Sequence, residues 1–446
     1  VVHGTTSGDV SSARPPGHPR GDQEPYASGS LTKPLTVVLA LLLAVYAGIL
    51  AAPTDPFTPD EFAHYDYLSV IAQESRVPAQ LSTARSQTAD IFACTPLSEG
   101  TFLVCGSQGQ DPRMLPWLGE NSATVNLPFF YAVDAVGSAL LSSWMDTDLL
   151  TGARAMAILW TLLLCAFTAL LARQLGASPL SAAIAAGVVG LSPVVLIGAA
   201  AVQTDTPSAA LAVGAVVAWL GLRCRPIQLR LAISLPLGLA ATTIRPTGLL
   251  AIVTILLLER YVARSSRNGT LVVIGLATVG TWVGLAAADA AIRGGPPSNG
   301  LLNTYVSQNW NQRSVDAVIE AWASIPMVLN WPFLSNPIRP ASSVLGLASI
   351  VVTVGAIIMA WRSREPAARV IGRVSIAGLF VLPVLLIAVL LLMGQALFYQ
   401  PRYLLLPVVL CVGVAASHLS AKTERLVTVG LGLSAAVVAF GVVALY

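Results

Sequence analysis

The sequence predicts an all-α protein that crosses a membrane many times. Of its 446 residues, 55% are hydrophobic and only 11% are charged, and the mean hydropathy is +0.73. A soluble core does not require so large an apolar fraction. Apolar runs of roughly 18 to 24 residues recur to the end of the chain, each long enough to cross a bilayer core of about 30 Å as a helix.

The first apolar run follows a polar tail that is rich in Ser, Gly, Pro and Arg. This tail, residues 1–33, has no apolar segment of its own, so we expect a disordered cytoplasmic tail and a first helix that is retained. About 11 transmembrane helices are predicted, at about 34–52, 153–173, 179–200, 206–222, 229–243, 247–263, 270–292, 341–361, 369–393, 403–418 and 425–446.

Basic residues predict the orientation. They are grouped in the tail and in four later loops, at 14–33, 223–230, 260–267, 362–373 and 422–425. With eleven spans, all of these groups share one side, and the long loops 53–152 and 293–340 lie on the other. A further apolar stretch at 125–143 would divide the basic groups if it also spanned, so we interpret it as a helix along the outer surface that carries Asp134. The N-terminus is then cytoplasmic.

Two cysteines support the same sidedness. Cys94 and Cys105 both lie in the predicted first outer loop, whereas Cys165, Cys224 and Cys411 are in or beside spans. A disulfide that closes a loop of about ten residues suits an oxidising compartment outside the cell membrane. The alternative is two unrelated thiols. A zinc site is not expected, because the sequence has no matching pair of Cys or His residues near these two cysteines.

The loop after the first span reads PFTPDEFAHYDY at residues 56–67 and concentrates ionisable side chains at a membrane surface. One interpretation is structural, with a threonine cap and Glu61 completing a capping box. It does not explain the positions that follow. At about 100° per residue, Asp60, His64 and Tyr67 project within about 60° of one another. An acid and an imidazole one turn apart suit proton transfer or the binding of a cation.

Three more charges lie at predicted outer ends of spans, each close to a proline. Asp205, in AAVQTDTPSA, either caps the next helix or has a functional role. Arg245, in ATTIRPTGLL, lies at a non-helical break that suits a phosphate ligand, although a snorkelling arginine is the alternative. Arg402, in LFYQPRYLLLP, is beside Tyr403, and anchoring at the interface is a strong alternative for this pair.

The loop 293–340 adds polar and aromatic candidates for a sugar subsite or for simple interfacial packing: Tyr305, Asn309, Trp310 and Trp331. Neither interpretation is favoured by the sequence. His418 lies near a predicted cytoplasmic end, where a structural role is expected.

The order of these features resembles the GT-C superfamily of membrane glycosyltransferases, which use polyprenyl-phosphate sugars as donors. More narrowly, PDEFAHYDYLSVIAQ at 59–73 is similar to the PDE-x-x-H signature of the DUF2142 family, and VQTD at 202–205 and QPRYLLLP at 400–407 resemble two of its later motifs. The likeness covers about residues 35–418. One departure is Gln203, where the family pattern has an asparagine.

The resemblance implies a GT-C-like transmembrane module over 34–292, with juxtamembrane helices in the large outer loop 53–152, a second outer loop at 293–340 and C-terminal transmembrane helices over 341–446. It implies that Asp60 or Glu61 is the general base that deprotonates an acceptor hydroxyl. Asp60 is preferred, because capping already accounts for Glu61. His64 would orient that carboxylate or bind the acceptor.

The donor phosphate would be bound by Arg245, Arg402 and Tyr403, and a divalent cation held by Asp60 and Asp205 could share this task. The implied donor is a polyprenyl-phosphate sugar, the acceptor is a cell-envelope glycan or glycolipid, and transfer inverts the anomeric carbon. The protein is expected in the lipid bilayer of a bacterial plasma membrane, with its active site facing outside and no nucleic-acid partner. The rival functions are a lipid or glycan transporter or flippase and an inactive envelope-assembly scaffold, and the absence of an internal repeat argues against a transporter.

Overall fold

The structure is a computed structural model, and it describes residues 30–51, 60–93, 103–263, 268–294, 325, 339–392, 401–420, 422–424 and 426–429. These residues are helical apart from loops and one isolated antiparallel bridge between Thr83 and Glu120. The predicted all-α class is therefore confirmed for this part of the chain.

The described α-helices are α1 (Thr32–Ala51), α2 (Glu61–Glu74), α3 (Ser86–Phe92), α4 (Pro128–Met145), α5 (Leu149–Gln174), α6 (Pro179–Gly190), α7 (Pro193–Ala200), α8 (Asp205–Gly221), α9 (Ile227–Ile244), α10 (Leu249–Tyr261), α11 (Asn268–Arg293), α12 (Arg339–Arg362), α13 (Pro366–Leu392) and α14 (Leu405–Ala416). Short 3₁₀ turns lie at Pro112–Met114, Pro116–Gly119, Ser122–Val125, Pro246–Gly248 and Pro401–Leu404.

A helix lies at each of the first ten predicted spans, but fewer meet the length and hydropathy that a full crossing requires. Five described helices do so, in α1, α5, α9, α11 and α13, and six if a bent pair counts as one span. Shorter apolar helices lie at Asp205–Gly221, Ala348–Arg362 and Arg402–Ala416. Most of the predicted span at 425–446 lies outside the described residues, so the total of eleven stays a prediction.

The predicted span at 179–200 is bent in the structure. It consists of α6 and α7, which meet at an angle of 67°. Pro193 has no backbone N–H to donate into the preceding turn and disfavours helical geometry at Ser192, whose backbone is extended. The apolar pattern continues through this break, so hydropathy alone did not reveal it.

The packing of α1, α5 and α6 shows where the first long loop leaves and rejoins the bundle. Near the end of α1, Tyr46 donates a hydrogen bond to the carbonyl of Gly190 at the end of α6, so these helices run in the same direction. A tight turn joins α5 to α6, so α5 runs oppositely. The chain therefore leaves α1 and enters α5 at one end of the bundle, which we name the site end.

Helix α4 packs along the beginning of α5 and has two different faces. Its inner face is buried, and the Trp160 indole donates to Asp134 at 3.1 Å. Its outer face exposes an apolar stripe: Phe129, Val133, Val136, Leu140 and Trp144. This amphipathic pattern is the one expected of a helix that lies along a membrane surface.

The opposite end of the bundle is held by a buried ion pair. Arg230 on α9 donates from Nε and Nη2 to Glu259 on α10, both at 2.7 Å, and the Trp219 indole on α8 donates to the same carboxylate at 2.8 Å. Because each of these buried charges is paired and hydrogen-bonded, the network joins three helices without an uncompensated charge.

Candidate active site

Asp60 lies at the start of α2, at the site end, and does not cap its own helix. The structure places it at the N-cap, but its side chain makes no capping hydrogen bond. Its carboxylate instead accepts a hydrogen bond from Nη2 of Arg402, which is 342 residues further along the chain. Arg402 belongs to the 3₁₀ turn Pro401–Leu404 that leads into α14. The first loop and the turn before α14 therefore meet at this ion pair.

The ion pair continues into two further segments. Nε of Arg402 lies 3.1 Å from Asp205, the first residue of α8, and Nε of Arg245 lies 3.2 Å from the other oxygen of that carboxylate. Arg245 follows α9 in an extended conformation, as the proline after it favours. Four segments thus contribute alternating charges to one row, Asp60, Arg402, Asp205 and Arg245, which we name the charge row.

The charge row is largely removed from solvent. Arg402 is only 1% exposed and Asp205 only 7%, and Tyr403 lies beneath both guanidinium groups, with its ring centre 5.2 Å from Arg245 and 5.9 Å from Arg402. The Nε–H of Arg245 is buried and makes no hydrogen bond with any described residue, although Asp205 lies beside it. A buried donor of this kind is costly unless a ligand or water satisfies it. The row is therefore suited to an additional anion at Arg245.

The charge row also determines the protonation of Asp60. Burial alone raises the pKa of this carboxyl, but the charge and the hydrogen bond of Arg402, together with the charge of Arg245, outweigh burial and hold the pKa below its usual value. Asp60 is thus ionised at neutral pH, and it can accept a proton only from a group that becomes acidic as it reacts.

His64 lies one helical turn after Asp60 and faces the same site. Its Nδ1 lies 2.7 Å from the hydroxyl of Tyr131 on α4. Burial, together with the nearby charge of Arg245, lowers the pKa of His64 to about 3, and the opposing effect of Asp60 is smaller. The imidazole is therefore neutral, and its pKa does not suit it to be a general base at neutral pH. The predicted stripe of Asp60, His64 and Tyr67 is directed at tertiary partners, since the Tyr67 ring also stacks on Tyr131, with centres 4.0 Å apart.

Glu61 has a different role from the predicted capping box. Helix α2 begins at Glu61 itself, and the side chain is fully buried. Its carboxylate accepts hydrogen bonds from Nε and Nη2 of Arg154 on α5, at 2.9 and 3.1 Å, and from the backbone N–H of Val202, at 3.1 Å. The capping interpretation is wrong, because these bonds join α2 to α5 and to the segment after α7. They also leave Glu61 poorly placed to take a proton from a substrate.

Asp66, the last acid of the opening motif, organises the first loop. It accepts hydrogen bonds from the backbone and side chain of Arg85, from Thr88 at 2.6 Å and from Asn121 at 2.8 Å. These partners belong to the segments on either side of residues 94–102. Asp66 is therefore a structural anchor and not part of the charge row.

Sequence reasoning missed three residues at this end of the bundle: Arg154, Tyr131 and Asn126. Arg154 lies at the start of the predicted apolar span 153–173, so its charge was an available signal. Tyr131 and Asn126 were hidden, because a tyrosine on a surface helix has many ordinary roles and its partner His64 is 67 residues away.

Several predicted residues are not tested by this geometry. The aromatic and polar candidates of loop 293–340 lie outside the described residues, as does Cys94. Cys105 is disulfide-bonded, and its pairing with Cys94 stays a prediction. Among the described residues, no group of three His, Cys, Asp or Glu side chains is arranged for a metal ion. Between Asp60 and Asp205, the two predicted metal ligands, lies the guanidinium of Arg402.

Comparison with solved structures identifies the architecture. The chain is similar to ArnT from Cupriavidus metallidurans bound to undecaprenyl phosphate, with a TM-score of 0.50, 16% identity and coverage of 91% of this chain and 64% of that one. The oligosaccharyltransferase of Archaeoglobus fulgidus in complex with Zn and sulfate gives a TM-score of 0.46 and 12% identity, covering 92% of this chain and 52% of that one.

The likeness to ArnT shows a fold of the GT-C type, and at this identity it shows the fold alone. The chain spans less than two thirds of the length of either protein. No family model matches the sequence, and no curated protein matches it. The narrower resemblance to the DUF2142 family therefore stays a prediction.

Proposed function

We propose that this protein is a membrane glycosyltransferase that transfers a sugar from a polyprenyl-phosphate donor to a cell-envelope glycan or lipid acceptor. The observation that carries the proposal is the charge row: two carboxylates that alternate with two arginines, at one end of an apolar helical bundle with a GT-C-type fold. Ionisable groups are expensive in such surroundings and mark functional sites by default.

In the proposed reaction, the acceptor hydroxyl attacks the anomeric carbon of the donor sugar and gives its proton to Asp60. The new carbon–oxygen bond forms as the bond from that carbon to the phosphate oxygen breaks, and the phosphate leaves with the electron pair. A single displacement inverts the anomeric carbon. Asp60 is a weak base, which is sufficient because an activated lipid phosphate is a good leaving group.

The two arginines would neutralise the departing phosphate. The Nε–H of Arg245 makes no hydrogen bond with any described residue, so it is a donor that a phosphate oxygen would satisfy. Arg402 pairs with both Asp60 and Asp205, so a bound phosphate would compete with Asp60 for the same guanidinium. That competition would weaken the pairing of Asp60 and make it a better base once the donor is in place.

The lipid tail of the donor would lie along the bundle. An apolar groove of about 290 Å³ lies between α9 and α11, lined by residues that include Leu235, Leu239 and Ile274. Leu239 is six residues before Arg245, or about 9 Å along the helix. A phosphate at Arg245 could therefore place its polyprenyl chain in this groove.

We propose a divalent cation near Asp60 and Asp205 only as an ion that would arrive bound to the donor phosphate. Arg402 already lies between the two carboxylates, and a second cation there would be repelled. No step of the reaction above depends on a metal. We further propose that the charge row faces the outside of a bacterial plasma membrane, where envelope acceptors are found.

The test is binding of a panel of polyprenyl-phosphate sugars to the protein in lipid nanodiscs, measured by native mass spectrometry. We expect selective binding of one donor and a loss of about ten-fold or more in affinity for Arg245→Ala, because a charge-assisted phosphate contact is removed. The matched control is Arg260→Ala, which removes an arginine at the other end of α10 from Arg245.

Equal losses in both variants would mean that the effect is general electrostatics. Binding of no donor would overturn the glycosyltransferase proposal and favour the transporter or scaffold. Unmodified polyprenyl phosphate belongs in the panel, because its binding without any sugar selectivity would favour a lipid carrier function.

A further inference from the structure

We infer that Tyr131 is a positioning residue that holds His64 as the Nε2–H tautomer, so that His64 offers a hydrogen-bond donor, and not a base, to the site. The inference deepens the proposed function and rests on it for its catalytic meaning. It follows from the directions of a chain of hydrogen bonds that runs from Asn126 through Tyr131 to His64.

Asn126 is the residue from which the donor and the acceptor of each hydrogen bond in this chain can be assigned. Its Nδ2 lies 3.0 Å from the carbonyl oxygen of Ala123, which can only accept, so this side of the amide must be the NH₂ group. The same nitrogen lies 3.3 Å from the Tyr131 hydroxyl. Asn126 therefore donates a hydrogen bond, and the phenolic oxygen of Tyr131 accepts it.

Asn126 is itself held in place. Its backbone carbonyl accepts a hydrogen bond from Nη2 of Arg293 at 3.2 Å and a longer one from the Tyr67 hydroxyl at 3.4 Å. Arg293 is the last residue of α11 and also donates to the carbonyl of Thr124. These bonds fix the loop before α4, so the side chain of Asn126 has one orientation toward Tyr131.

The hydroxyl proton of Tyr131 then has one destination. The side chain is fully buried, and among the described residues the acceptor within its reach is Nδ1 of His64, at 2.7 Å. A buried hydroxyl that fails to donate loses a hydrogen bond that water would have supplied. Tyr131 therefore donates to Nδ1, and the ring proton of the neutral imidazole must be on Nε2.

The Nε2–H is directed away from Tyr131, because the two ring nitrogens lie on opposite sides of the imidazole. The charged groups that act on this ring are Arg245, Asp60 and Arg402. Of these, only the carboxylate of Asp60 can accept a hydrogen bond. During transfer, this donor is thus available to an oxygen of the acceptor or sugar beside Asp60.

Nitrogen-15 NMR of histidine-labelled protein tests the tautomer without any substrate. The spectrum of His64→Gln identifies the His64 signals among the four histidines of the chain. We expect a protonated Nε2 and a hydrogen-bonded, unprotonated Nδ1 in the wild type. In Tyr131→Phe, the Nδ1 signal should move to the position of a nitrogen that accepts no hydrogen bond.

Tyr67→Phe is the matched control, because it also removes a buried hydroxyl beside Tyr131, but one whose hydrogen bond goes to the carbonyl of Asn126 and not to His64. Its His64 signals should stay at the wild-type positions. A protonated Nδ1 in the wild type, or an equal shift in both tyrosine variants, would overturn the inference.

Transfer activity supplies the second measurement. A glutamine amide can place its N–H near the position of Nε2, whereas an asparagine amide reaches only the position of Nδ1. We expect His64→Asn to lower kcat about 100-fold and His64→Gln to recover at least about ten-fold of that loss. Equal activities in the two variants would exclude the Nε2 donor from catalysis. If no donor is ever transferred, the proposed function fails while the NMR result still decides the tautomer.

Discussion

At the scale of single residues, two neighbouring carboxylates have been assigned opposite roles by their partners. Asp60 is 17% exposed in its side chain and pairs with an arginine that also pairs elsewhere, whereas Glu61 is fully buried and bonded to a guanidinium and a backbone N–H. Reactivity requires access and an incomplete set of partners, which only Asp60 has. The sequence places the two acids side by side and cannot distinguish them.

This contrast predicts different consequences of two isosteric amide substitutions. Asp60→Asn should lower the rate of sugar transfer by a factor of about 10² to 10⁴, since the proton acceptor is lost. Its melting temperature should stay close to that of the wild type, because Arg402 keeps Asp205 as a partner. Glu61→Gln should retain transfer in the folded protein but lose about 3 kcal/mol of stability, because the buried Arg154 loses its counter-charge.

The two variants are compared by thermal unfolding and by turnover per folded molecule in the same detergent. Near-normal turnover in Asp60→Asn would remove Asp60 from the mechanism. A Glu61→Gln variant that melts like the wild type but does not turn over would transfer the role of base to Glu61.

The sequence indicated all four residues of the charge row as candidates. Asp60 is a candidate because it shares a helix face with His64, and Asp205, Arg245 and Arg402 are candidates because charges at the ends of apolar runs are unusual. The structure brings all four together. What the sequence did not reveal were the partners that come from other elements, such as Tyr131 for His64. Those pairings depend on how the helices cross in the folded protein, and no local sequence pattern encodes the crossing.

At the scale of elements, the interface between α4 and α5 contains a carboxyl group outside the charge row. Asp134 is 2% exposed and is bonded to the indole of Trp160. Burial raises the pKa of Asp134 to about 7, although the hydrogen bond from Trp160 acts in the opposite direction. The folded protein therefore keeps Asp134 protonated at acidic pH, when an unfolded chain would already have released the proton.

The raised pKa of Asp134 makes the folded protein less stable as the pH rises. The folded state binds one proton more than the unfolded state between pH of about 4 and about 7, so this group lowers stability as the pH rises through that window, and no further above it. Asp134→Asn removes the effect, because an amide has no proton to lose and can still accept from Trp160. Its stability advantage over the wild type should grow with pH, by as much as about 4 kcal/mol.

Thermal unfolding of both proteins at about pH 5 and about pH 8 measures this advantage, since the window ends near pH 7. Asp146→Asn is the control, because Asp146 is exposed at the end of the same helix, in a left-handed conformation that asparagine tolerates. An advantage that is the same at both pH values would mean that Asp134 is ionised throughout.

The elements themselves were the most predictable part of the fold. A helix lies at each of the first ten apolar runs, since a segment that must satisfy its backbone within an apolar medium becomes helical. The bend between α6 and α7 was not predicted, because hydropathy averages over a window and Pro193 was not weighed as a break. Hydropathy alone did not indicate whether α4 crosses the membrane or lies along its surface. The packing of α1, α5 and α6 supports a surface position, because the chain leaves α1 and enters α5 at the same end of the bundle.

At the scale of the whole molecule, the ends of the bundle differ in chemistry. The site end collects the charge row, His64 and the chain before and after the first loop, whereas the other end has the Arg230–Glu259 pair and most of the basic loops. Helix α8 runs from one end to the other, from Asp205 to Gly221, a length of about 26 Å. The free and exposed Cys224 therefore lies at the end away from the charge row.

This geometry makes the orientation of the protein measurable with a thiol reagent that does not cross membranes. Thr147 is exposed at the site end, between α4 and α5. In a Cys224→Ser background, Thr147→Cys should react in intact cells, because we expect the site end to face outside. Native Cys224 should react only after the membrane is permeabilised, since basic loops are retained on the cytoplasmic side.

Two native thiols provide an internal reference for this experiment, because Cys165 and Cys411 are buried and should stay unlabelled until the protein is denatured. Labelling of Cys224 in intact cells, with Thr147→Cys protected, would invert the orientation and place the charge row inside, where an extracytoplasmic acceptor could not reach it. Labelling of both positions from outside would contradict the helix directions themselves, because α8 would then have to begin and end on the same side. The expected result is that Thr147→Cys is labelled in intact cells and Cys224 only after permeabilisation. It would place the charge row on the side of the membrane where envelope glycans are assembled.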